Sequence, residues 1–165
     1  IIPLEQEICH VRSYLDIQKM RYGDRLDYQI RIPEELKKLY TVKLLIQPLA
    51  ENSIYHGIKE SDRKGTILIT AGEEPGGFYL CVRDDGLGIS QETLTILNAD
   101  LKRGVTVSDG GYGIFNVNER IRLYFGRDYG LELRSCTGEW TEAVIHLPKY
   151  IPERTEWDVS DFDRR

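Results

Sequence analysis

The stretch QPLAENSIYHG, residues 47–57, decides how the rest of the chain is interpreted. It lies within a run of helical apolar spacing from Val42 to Ile58, so we predict a helix there, with Thr41 as its cap. Pro48 falls inside this predicted helix, and we expect it to bend the helix or to perturb the turn before it. The helix would carry the polar residues of the stretch on a defined face.

Asn52 and His56 are the polar residues of interest on that helix, one turn apart on the same face. An amide oxygen suits Mg²⁺, a hard ion that keeps several waters and takes few protein ligands. His56 would then reach a phosphate or the water shell of the metal. The alternative is that Asn52 satisfies local backbone groups and His56 caps the helix end.

The second motif is DDGLG, residues 84–88, which follows the strand-like run at 78–83. Asp84 ends that run, and a carboxylate at this place can accept a hydrogen bond from the exocyclic amine of adenine. Gly86 and Gly88 permit backbone conformations and close approach that side chains would block. The alternative is an ordinary turn, since Asp-Gly is a common turn dipeptide.

The third motif is GGYGIFN, residues 110–116, which opens a predicted helix with an apolar stripe from Ile114 to Tyr124. Gly111 and Gly113 leave the N–H groups of a helix start unobstructed, an arrangement suited to phosphate. The spacing is that of neither a Walker loop nor a Rossmann fingerprint. A glycine-rich loop without chemical role is the alternative for this motif alone, but the three motifs together predict a nucleotide site.

The remaining periodicity predicts an α/β domain. A helix is expected at 4–21 and a strand around 28–32, followed by a hairpin of 66–71 and 78–82 and two final strands around 131–133 and 143–147. Strands with mostly antiparallel neighbours and interspersed helices suggest a two-layer α/β sandwich, in which helices cover one face of a mixed sheet.

The stretch 89–110 has a different character, with a short helical piece at 92–97 and then a polar, glycine-bearing run. Long irregular segments inside a compact domain are often lids or binding loops, so we predict a flexible lid here. The chain beyond Pro148 loses its pattern, and residues 151–165 are expected to form a polar, mobile tail.

Composition limits the class of protein further. The chain has 165 residues, 30% of them charged, and a formal net charge of −5, which argues against nucleic acid as a partner. Its three cysteines form no CxxC pair, so a cysteine metal site is not expected. No apolar run approaches the ~20 residues of a membrane span, and the absence of an initial methionine predicts a piece of a longer protein.

The order of these motifs resembles the Bergerat ATP-binding fold, and within it the sensor histidine kinases of the LytS/YesM type. The resemblance covers residues 1 to about 148 and is most specific in the first helix and around Asn52. The stretches that carry it are LEQEI (4–8), YLDIQK (14–19), RYGDRL (21–26), QPLAEN (47–52), GYGI (111–114), NV (116–117) and ER (119–120).

The resemblance implies roles for individual residues. Asn52 would bind Mg²⁺, Asp84 would accept the adenine amine, and Thr141, in GEWT at 138–141, would support that carboxylate. Residues 89–110 would be the ATP lid. The ATP-binding residues implied in this way are Asn52, Tyr55, His56, Asp84, Gly86, Gly88, Ile89, Gly111, Gly113, Ile114 and Thr141. Asn52 and Glu51 would be catalytic.

The sequence also departs from the family pattern. Tyr55 stands where a lysine is usual, Phe115 replaces leucine, and Asp85 replaces asparagine. Pro48 stands where hydrolytic members of the superfamily carry a glutamate that activates water, so the chain resembles a kinase more than an ATPase. A hydrolysing ATPase of the same fold, and an interaction module that has lost nucleotide, remain the alternatives.

The expected function is therefore the catalytic ATP-binding domain of a sensor histidine kinase with ATP and Mg²⁺ as cofactors. The phosphoacceptor histidine would lie upstream, so the chain should bind ATP without phosphorylating itself. Residues 1–24 would form a helix leading to that upstream segment, and 25–150 the catalytic domain. The expected partners are a response regulator and a second copy in a full-length homodimer. The expected location is the cytoplasmic side of a bacterial plasma-membrane sensor, with membrane contact only through missing parts of the protein.

Overall fold

A computed structural model of the chain describes residues 1–105 and 113–152. The helices are α1 (Leu4–Tyr22), α2 (Glu34–Lys37), α3 (Ile46–Asn52), α4 (Gln91–Arg103) and α5 (Gly113–Phe125), with a 3₁₀ turn at Gly23–Arg25 and a π-helical segment at Ser53–Ile58. The strands are β1 (Ile2–Pro3), β2 (Leu26–Arg31), β3 (Tyr40–Thr41), β4 (Gly65–Glu74), β5 (Gly77–Asp84), β6 (Gly130–Cys136) and β7 (Trp140–Pro148).

Five of these strands form one mixed sheet in the order β2-β4-β5-β7-β6. β2 runs parallel to β4, while the other three neighbouring pairs are antiparallel. The parallel pair needs a long crossover, and the segment that contains α2, α3 and the π-helical segment supplies it. β1 and β3 form a separate two-stranded ladder that the sequence pattern did not predict.

One face of the sheet is buried against helices. Phe78, Leu80 and Val82 of β5 are at most 1% exposed, whereas Tyr79 and Arg83 on the other face are only partly buried. The same alternation runs along β7, and helices α1, α3 and α5 contribute the other half of the core. The predicted two-layer α/β sandwich with a mixed sheet is therefore confirmed. Within the described segments, none of the helices is both long and apolar enough to cross a bilayer.

The start of α3 differs from the prediction. The helix begins at Ile46 rather than Val42, and its first N–H groups are capped by the carboxylate of Glu7 on α1 instead of by Thr41. Thr41 lies in β3 with its hydroxyl buried and without a hydrogen-bond partner among the described residues. Because the helix starts later, Pro48 falls in its first turn, where no N–H is needed, and it does not interrupt the helix. The turn before the helix is unusual, since it contains Leu44 with φ 60°.

Helix α4 is longer than predicted and ends at Arg103, and Gly104, in a left-handed conformation (φ 72°), is its C-cap. Ser90 caps its start by accepting a hydrogen bond from the N–H of Thr93. Asn98 fixes the helix on the sheet, because its amide donates to the carbonyl of Leu133 and accepts from the N–H of Leu133, at 2.8 and 2.9 Å.

Helix α4 extends beyond the predicted 92–97 because it packs against strand β6. β6 is an edge strand, and the Asn98 side chain satisfies backbone groups that the edge would otherwise leave unpaired. The predicted lid, residues 89–110, thus contains α4 in its described part, while 106–110 lies outside the described residues. The predicted tail also lies outside them from residue 153 onward.

Truncation of a buried side chain on α1 tests whether this helix belongs to the core. Leu15 is 0% exposed, so Leu15→Ala should lower the free energy of unfolding by about 2–5 kcal/mol through lost burial and a cavity. Urea denaturation measures the change. The matched control is Ile17→Ala, since Ile17 is 63% exposed on the same helix and should matter by less than about 0.5 kcal/mol. Equal effects of the two substitutions would contradict the packing of α1.

Candidate functional site

A cleft of about 110 Å³ lies between the buried face of the sheet and the helices. The three motifs that flank it come from α3 and the π-helical segment, from the end of β5, and from the start of α5. Its lining residues are Leu49, Asn52, Ser53, His56, Gly57, Val82, Asp84, Gly88, Ile89, Leu97, Ile114, Leu133, Thr141 and Ala143.

Asp84 is the polar centre of the cleft. It ends β5 and is 4% exposed, and one of its carboxylate oxygens accepts a hydrogen bond from the N–H of Gly86 at 3.0 Å. Burial raises the pKa of Asp84 from 3.8 to about 6, and hydrogen bonds from Gly86 and the Ser53 side chain oppose part of that rise. The carboxylate therefore sits in a dry place, surrounded by few donors, where a further N–H donor would be favourable.

The π-helical segment passes directly over Asp84. Lys59 donates its N–H to the carbonyl of Ile54, five residues back, which widens the turn after α3. Gly57 makes the close approach possible, since a Cβ there would lie 2.6 Å from the Asp84 carboxylate. A Cβ on Gly86 would in turn meet the Gly57 backbone at 2.4 Å. The two glycines bring the helix and the strand end into contact.

The rest of the inner cleft is apolar. Leu49 and Ile114 lie on the helical side, Val82 and Ala143 belong to the sheet, and Leu97 comes from α4. Apolar surfaces around a single buried acid suit a flat, partly aromatic ring that carries an N–H donor at its edge. The purine of a nucleotide has this character.

The loop after Asp84 is held on the turn between β6 and β7. Ile89 donates its N–H to the Ser135 hydroxyl at 2.7 Å, and its carbonyl accepts from the Thr137 hydroxyl at 3.0 Å. Gly88 has φ 68°, and a Cβ there would lie 2.2 Å from the carbonyl oxygen of Cys136, so only glycine fits. These contacts form the rim of the cleft beside Asp84.

Thr141 lies opposite Asp84 in the pairing of β5 with β7. Its hydroxyl is 3.2 Å from the hydroxyl of Ser135, which also donates to the carbonyl of Trp140. Thr141 is thus a neighbour of Asp84 across the strands, and its role in supporting that carboxylate stays a prediction.

A second, wider groove adjoins the cleft on its outer side. Asn52 and His56 line both the cleft and this groove, whereas Glu51, Tyr55 and Gly113 line only the outer groove. The other lining residues of this groove are Tyr14, Gln18, Arg21, Tyr22, Ile54 and Lys59.

Charged groups give this outer groove a mixed character. Burial, followed by the nearby charge of Glu51, raises the pKa of Tyr14 to about 12, so its hydroxyl stays protonated at neutral pH. The ammonium of Lys59 lies 4.8 Å from the centre of the Tyr55 ring. Arg21 adds a second cation at the end of α1.

The structure brings together most of the predicted site residues. Asn52, His56, Asp84, Gly88, Ile89, Ile114 and Thr141 share the cleft. Gly86 donates its N–H to the Asp84 carboxylate. Gly113 is near Asn52, since a Cβ at Gly113 would be 3.9 Å from the Asn52 amide nitrogen. Glu51 and Tyr55 face away from the cleft, and Gly111 lies outside the described residues.

Sequence reasoning missed several lining residues. Ser53 hydrogen-bonds Asp84, and Gly57 permits the contact between helix and strand. Leu49 and Leu97 supply apolar wall. The helical spacing of Leu49 and Ser53 with Asn52 and His56 was the available signal, whereas Leu97 became part of the site only because α4 folds over the cleft.

Asn52 has a side-chain amide oxygen, which is a type of ligand that Mg²⁺ accepts. It is half-buried at the mouth of the cleft, and its side-chain amide makes no hydrogen bond to another described residue. In residues 1–105 and 113–152 no group of three acidic, histidine or cysteine side chains converges on a metal position. One amide oxygen together with the phosphates of a nucleotide and water would suffice for this ion.

Comparison with known families agrees with the fold and the cleft. Residues 39–151 match the family described as histidine kinase-, DNA gyrase B-, and HSP90-like ATPase. The match covers more than half of the chain, and the chain belongs to this family.

Curated relatives narrow the similarity to sensor kinases. The chain is 31% identical over 157 residues to the sensor protein LytS of Bacillus anthracis, covering 94% of this chain and 26% of that protein. It is 34% identical over 148 residues to the sensor histidine kinase YesM of Bacillus subtilis, with 90% and 24% covered. The sensor histidine kinase BtsS of Escherichia coli is 33% identical over 147 residues, with 89% and 24% covered. The chain therefore spans about a quarter of the length of these relatives.

Solved structures share the fold. The catalytic domain of the histidine kinase ThkA superposes with a TM-score of 0.67 at 14% identity, covering 90% of this chain and 93% of that domain. The histidine kinase AdeS of Acinetobacter baumannii superposes with a TM-score of 0.58 at 11% identity, with 91% and 66% covered. The α/β architecture predicted from the sequence is that of histidine kinase catalytic domains.

The raised pKa of Asp84 predicts a pH dependence of stability. A carboxyl with a raised pKa holds its proton more tightly in the folded chain, so its stabilising contribution is complete below the ordinary value of 3.8 and is lost as pH rises through about 6. Asp84→Asn cannot ionise. It should gain stability relative to the wild type, by up to about 3 kcal/mol between roughly pH 4 and pH 7, in urea titrations.

The matched control for this measurement is Asp62→Asn, which makes the same charge change at an exposed side chain outside the cleft. If the stability difference between Asp84→Asn and the wild type is constant over this pH range, the carboxyl is not perturbed by burial.

Proposed function

We propose that the cleft binds ATP together with Mg²⁺, and that the chain is the catalytic domain from which a sensor histidine kinase phosphorylates its own upstream histidine. The observation that carries the proposal is a carboxyl buried to 4% exposure among apolar walls, with an amide and a helix start at the open end. Family membership and the sensor kinase relatives support the same function.

The orientation of bound ATP follows from the polar groups at the two ends of the cleft, which are Asp84 at the inner end and Asn52 at the open end. The adenine amine donates to Asp84, with the ring between the apolar side chains of Leu49, Val82 and Ile114. The phosphates then extend toward Asn52 and the start of α5 at Gly113, because the start of a helix favours anionic groups. Gly111 would flank the phosphates together with Gly113.

Magnesium would be held by the Asn52 amide oxygen, and when bound it would neutralise charge on the phosphates. His56 lies one turn further along, at the boundary of the cleft and the outer groove, where it is placed for a phosphate oxygen or a metal-bound water. Tyr55 points into the outer groove, so it does not replace the phosphate contact of the usual lysine. Lys59, whose ammonium lies over the Tyr55 ring, directly follows the π-helical segment.

The outer groove is the side from which a protein histidine would approach the γ-phosphate, because Asn52 and His56 lie between it and the cleft. Glu51 lines this groove, exposed, with Gln47 donating to its carboxylate at 2.9 Å. A carboxylate there can orient the imidazole of an incoming histidine. Pro48 offers no group that could activate water, so transfer to a protein histidine is favoured over hydrolysis.

The organisation of the longer protein is part of the proposal. Residues 1–24 would connect to the upstream phosphotransfer segment, residues 25–150 would act as the catalytic unit, and 89–110 would close over the nucleotide. In the full-length protein we expect a homodimer, a response regulator as the next phosphoacceptor, and a membrane anchor outside this chain, so that the domain works on the cytoplasmic side.

Nucleotide titration of two variants tests the assignment. Asp84→Asn should weaken ATP binding by roughly 1.5–3 kcal/mol with and without Mg²⁺, because a charged hydrogen bond to the base is lost. Asn52→Ala should instead reduce the gain in affinity that Mg²⁺ provides, while metal-free binding changes little. Isothermal titration calorimetry at a fixed pH near 8 measures both.

Three outcomes would redirect the assignment. No heat with millimolar ATP and Mg²⁺ would favour an interaction module that has lost nucleotide. Steady-state ADP release that Glu51→Gln abolishes would favour a hydrolysing ATPase. Unchanged ATP affinity in Asp84→Asn would remove this residue from the adenine contact.

Phosphoryl transfer itself requires the upstream segment. The chain alone should bind ATP but incorporate no γ-phosphate, whereas a longer protein that includes the upstream histidine segment should become labelled at an acid-labile phosphohistidine. Asn52→Ala in the longer protein should remove the label because the phosphates are no longer positioned. Labelling of the isolated chain at its own His10, which is exposed on α1, would contradict this scheme.

A further inference from the structure

We propose that Glu7 and Arg120 are positioning residues that hold Asn52 in place for the metal-bound phosphates, acting through the turn formed by residues 43–46. The inference rests on the proposed function, because it concerns the site that would bind ATP with Mg²⁺. It adds two residues that touch neither the cleft nor a nucleotide.

The first tie runs from α1 to the turn. The carboxylate of Glu7 is 1% exposed and accepts hydrogen bonds from the N–H groups of Leu44, Leu45 and Ile46 at 2.8, 2.6 and 2.9 Å. These are the N–H groups that precede and open α3. A buried carboxylate with three backbone donors is held strongly, because the bonds are charge-assisted and water cannot replace them.

The second tie runs from α5 to the same turn. The guanidinium of Arg120 donates to the carbonyl of Leu44 at 3.2 Å and also to the carbonyl of Lys43. Leu44 has φ 60°, the only positive φ at a non-glycine residue within the described segments. A leucine adopts that conformation only when its surroundings impose it, and here Glu7 accepts a hydrogen bond from its N–H while Arg120 donates one to its carbonyl.

The turn is close enough to Asn52 to control it. α3 has seven residues, starting at Ile46 and ending at Asn52, and it has no capping side chain of its own. α5, which carries Arg120, starts at Gly113, where a Cβ would lie 3.3 Å from Pro48 and 3.9 Å from the Asn52 amide. A shift of the turn would therefore move the Asn52 amide relative to the start of α5, while pairing with β4 and β7 on either side holds the backbone of Asp84.

The test uses Glu7→Gln, with Glu5→Gln as the matched control on the same helix, since Glu5 is exposed. A glutamine side chain has one acceptor oxygen, and its N–H₂ group cannot accept a hydrogen bond. It therefore satisfies fewer of the three backbone N–H groups. We expect Glu7→Gln to reduce the Mg²⁺-dependent gain in ATP affinity by roughly tenfold. Metal-free ATP affinity, which reports the adenine contact, should stay within about twofold. Glu5→Gln should leave both affinities unchanged.

Arg120 provides an independent variant if Glu7→Gln does not fold. Arg120 is half-buried, and Arg120→Gln should produce the same selective loss of the Mg²⁺-dependent gain. Arg120→Lys should retain more of the Mg²⁺-dependent gain than Arg120→Gln, because an ammonium can donate to one of the two carbonyls but does not reproduce both guanidinium contacts. A purely structural role predicts instead that metal-free and metal-dependent affinity fall together, and that result would overturn the inference.

The nucleotide-free chain gives a readout that separates this inference from the proposed function. The side-chain amide resonance of Asn52 and the hydrogen exchange of the amides at 44–46 should change in Glu7→Gln and Arg120→Gln but not in Glu5→Gln. If the wild type binds no ATP, the proposed function fails, and these spectra still decide the positioning role. Unaltered Asn52 and 44–46 signals in both variants would refute it.

Discussion

A carboxylate buried at the end of a central strand is unfavourable unless polar groups surround it, and Asp84 occupies such a position at the end of β5. The local backbone is arranged around this acid. Gly86 turns an N–H toward it, Ser53 adds a hydroxyl, and Gly57 lets the π-helical segment pass against it. The raised pKa of Asp84 shows that these donors compensate its burial only in part. The incomplete compensation leaves the acid ready for one more donor, which is what a site for adenine requires.

The helical layer depends on polar side chains that join elements far apart in the chain. Glu7 caps α3 from α1, and Asn98 covers the edge strand β6 from α4. Asn118 of α5 makes a similar pair of contacts, since its amide donates to the carbonyl of Leu101 and accepts from the N–H of Leu131. Each of these side chains replaces backbone partners that a helix end or a sheet edge lacks. They fix the helices laterally, which apolar packing alone does not do.

The cleft and the outer groove divide the proposed chemistry. In the proposed function the cleft would bind the base through one acid and apolar walls, whereas the groove, which Glu51, Lys59 and Arg21 line, would face another protein segment. Asn52 lies at their boundary. Phosphoryl transfer between a small molecule and a protein side chain needs such a boundary, because both reactants have to reach the same phosphorus from opposite sides.

The fold class and most of the site could be predicted from the sequence. Period-two and period-3.6 apolar patterns marked the helices α1 and α5 and the strands β4, β5 and β7, since burial of one face imposes those spacings locally. Asn52, Asp84 and Gly88 were found because helix faces, strand ends and glycine motifs are visible over a few residues.

Only the tertiary structure decided where α3 starts, how far α4 extends, and that Glu51 and Tyr55 face the outer groove. The partner of the α3 N–H groups, Glu7, is 39 residues from Ile46, and the partner of Asn98, Leu133, is 35 residues away. No local pattern contains such pairs. Short-range sequence determines which segments can be helices and strands and which residues carry chemistry, whereas their ends and facing directions follow from hydrogen bonds that form when distant segments pack together.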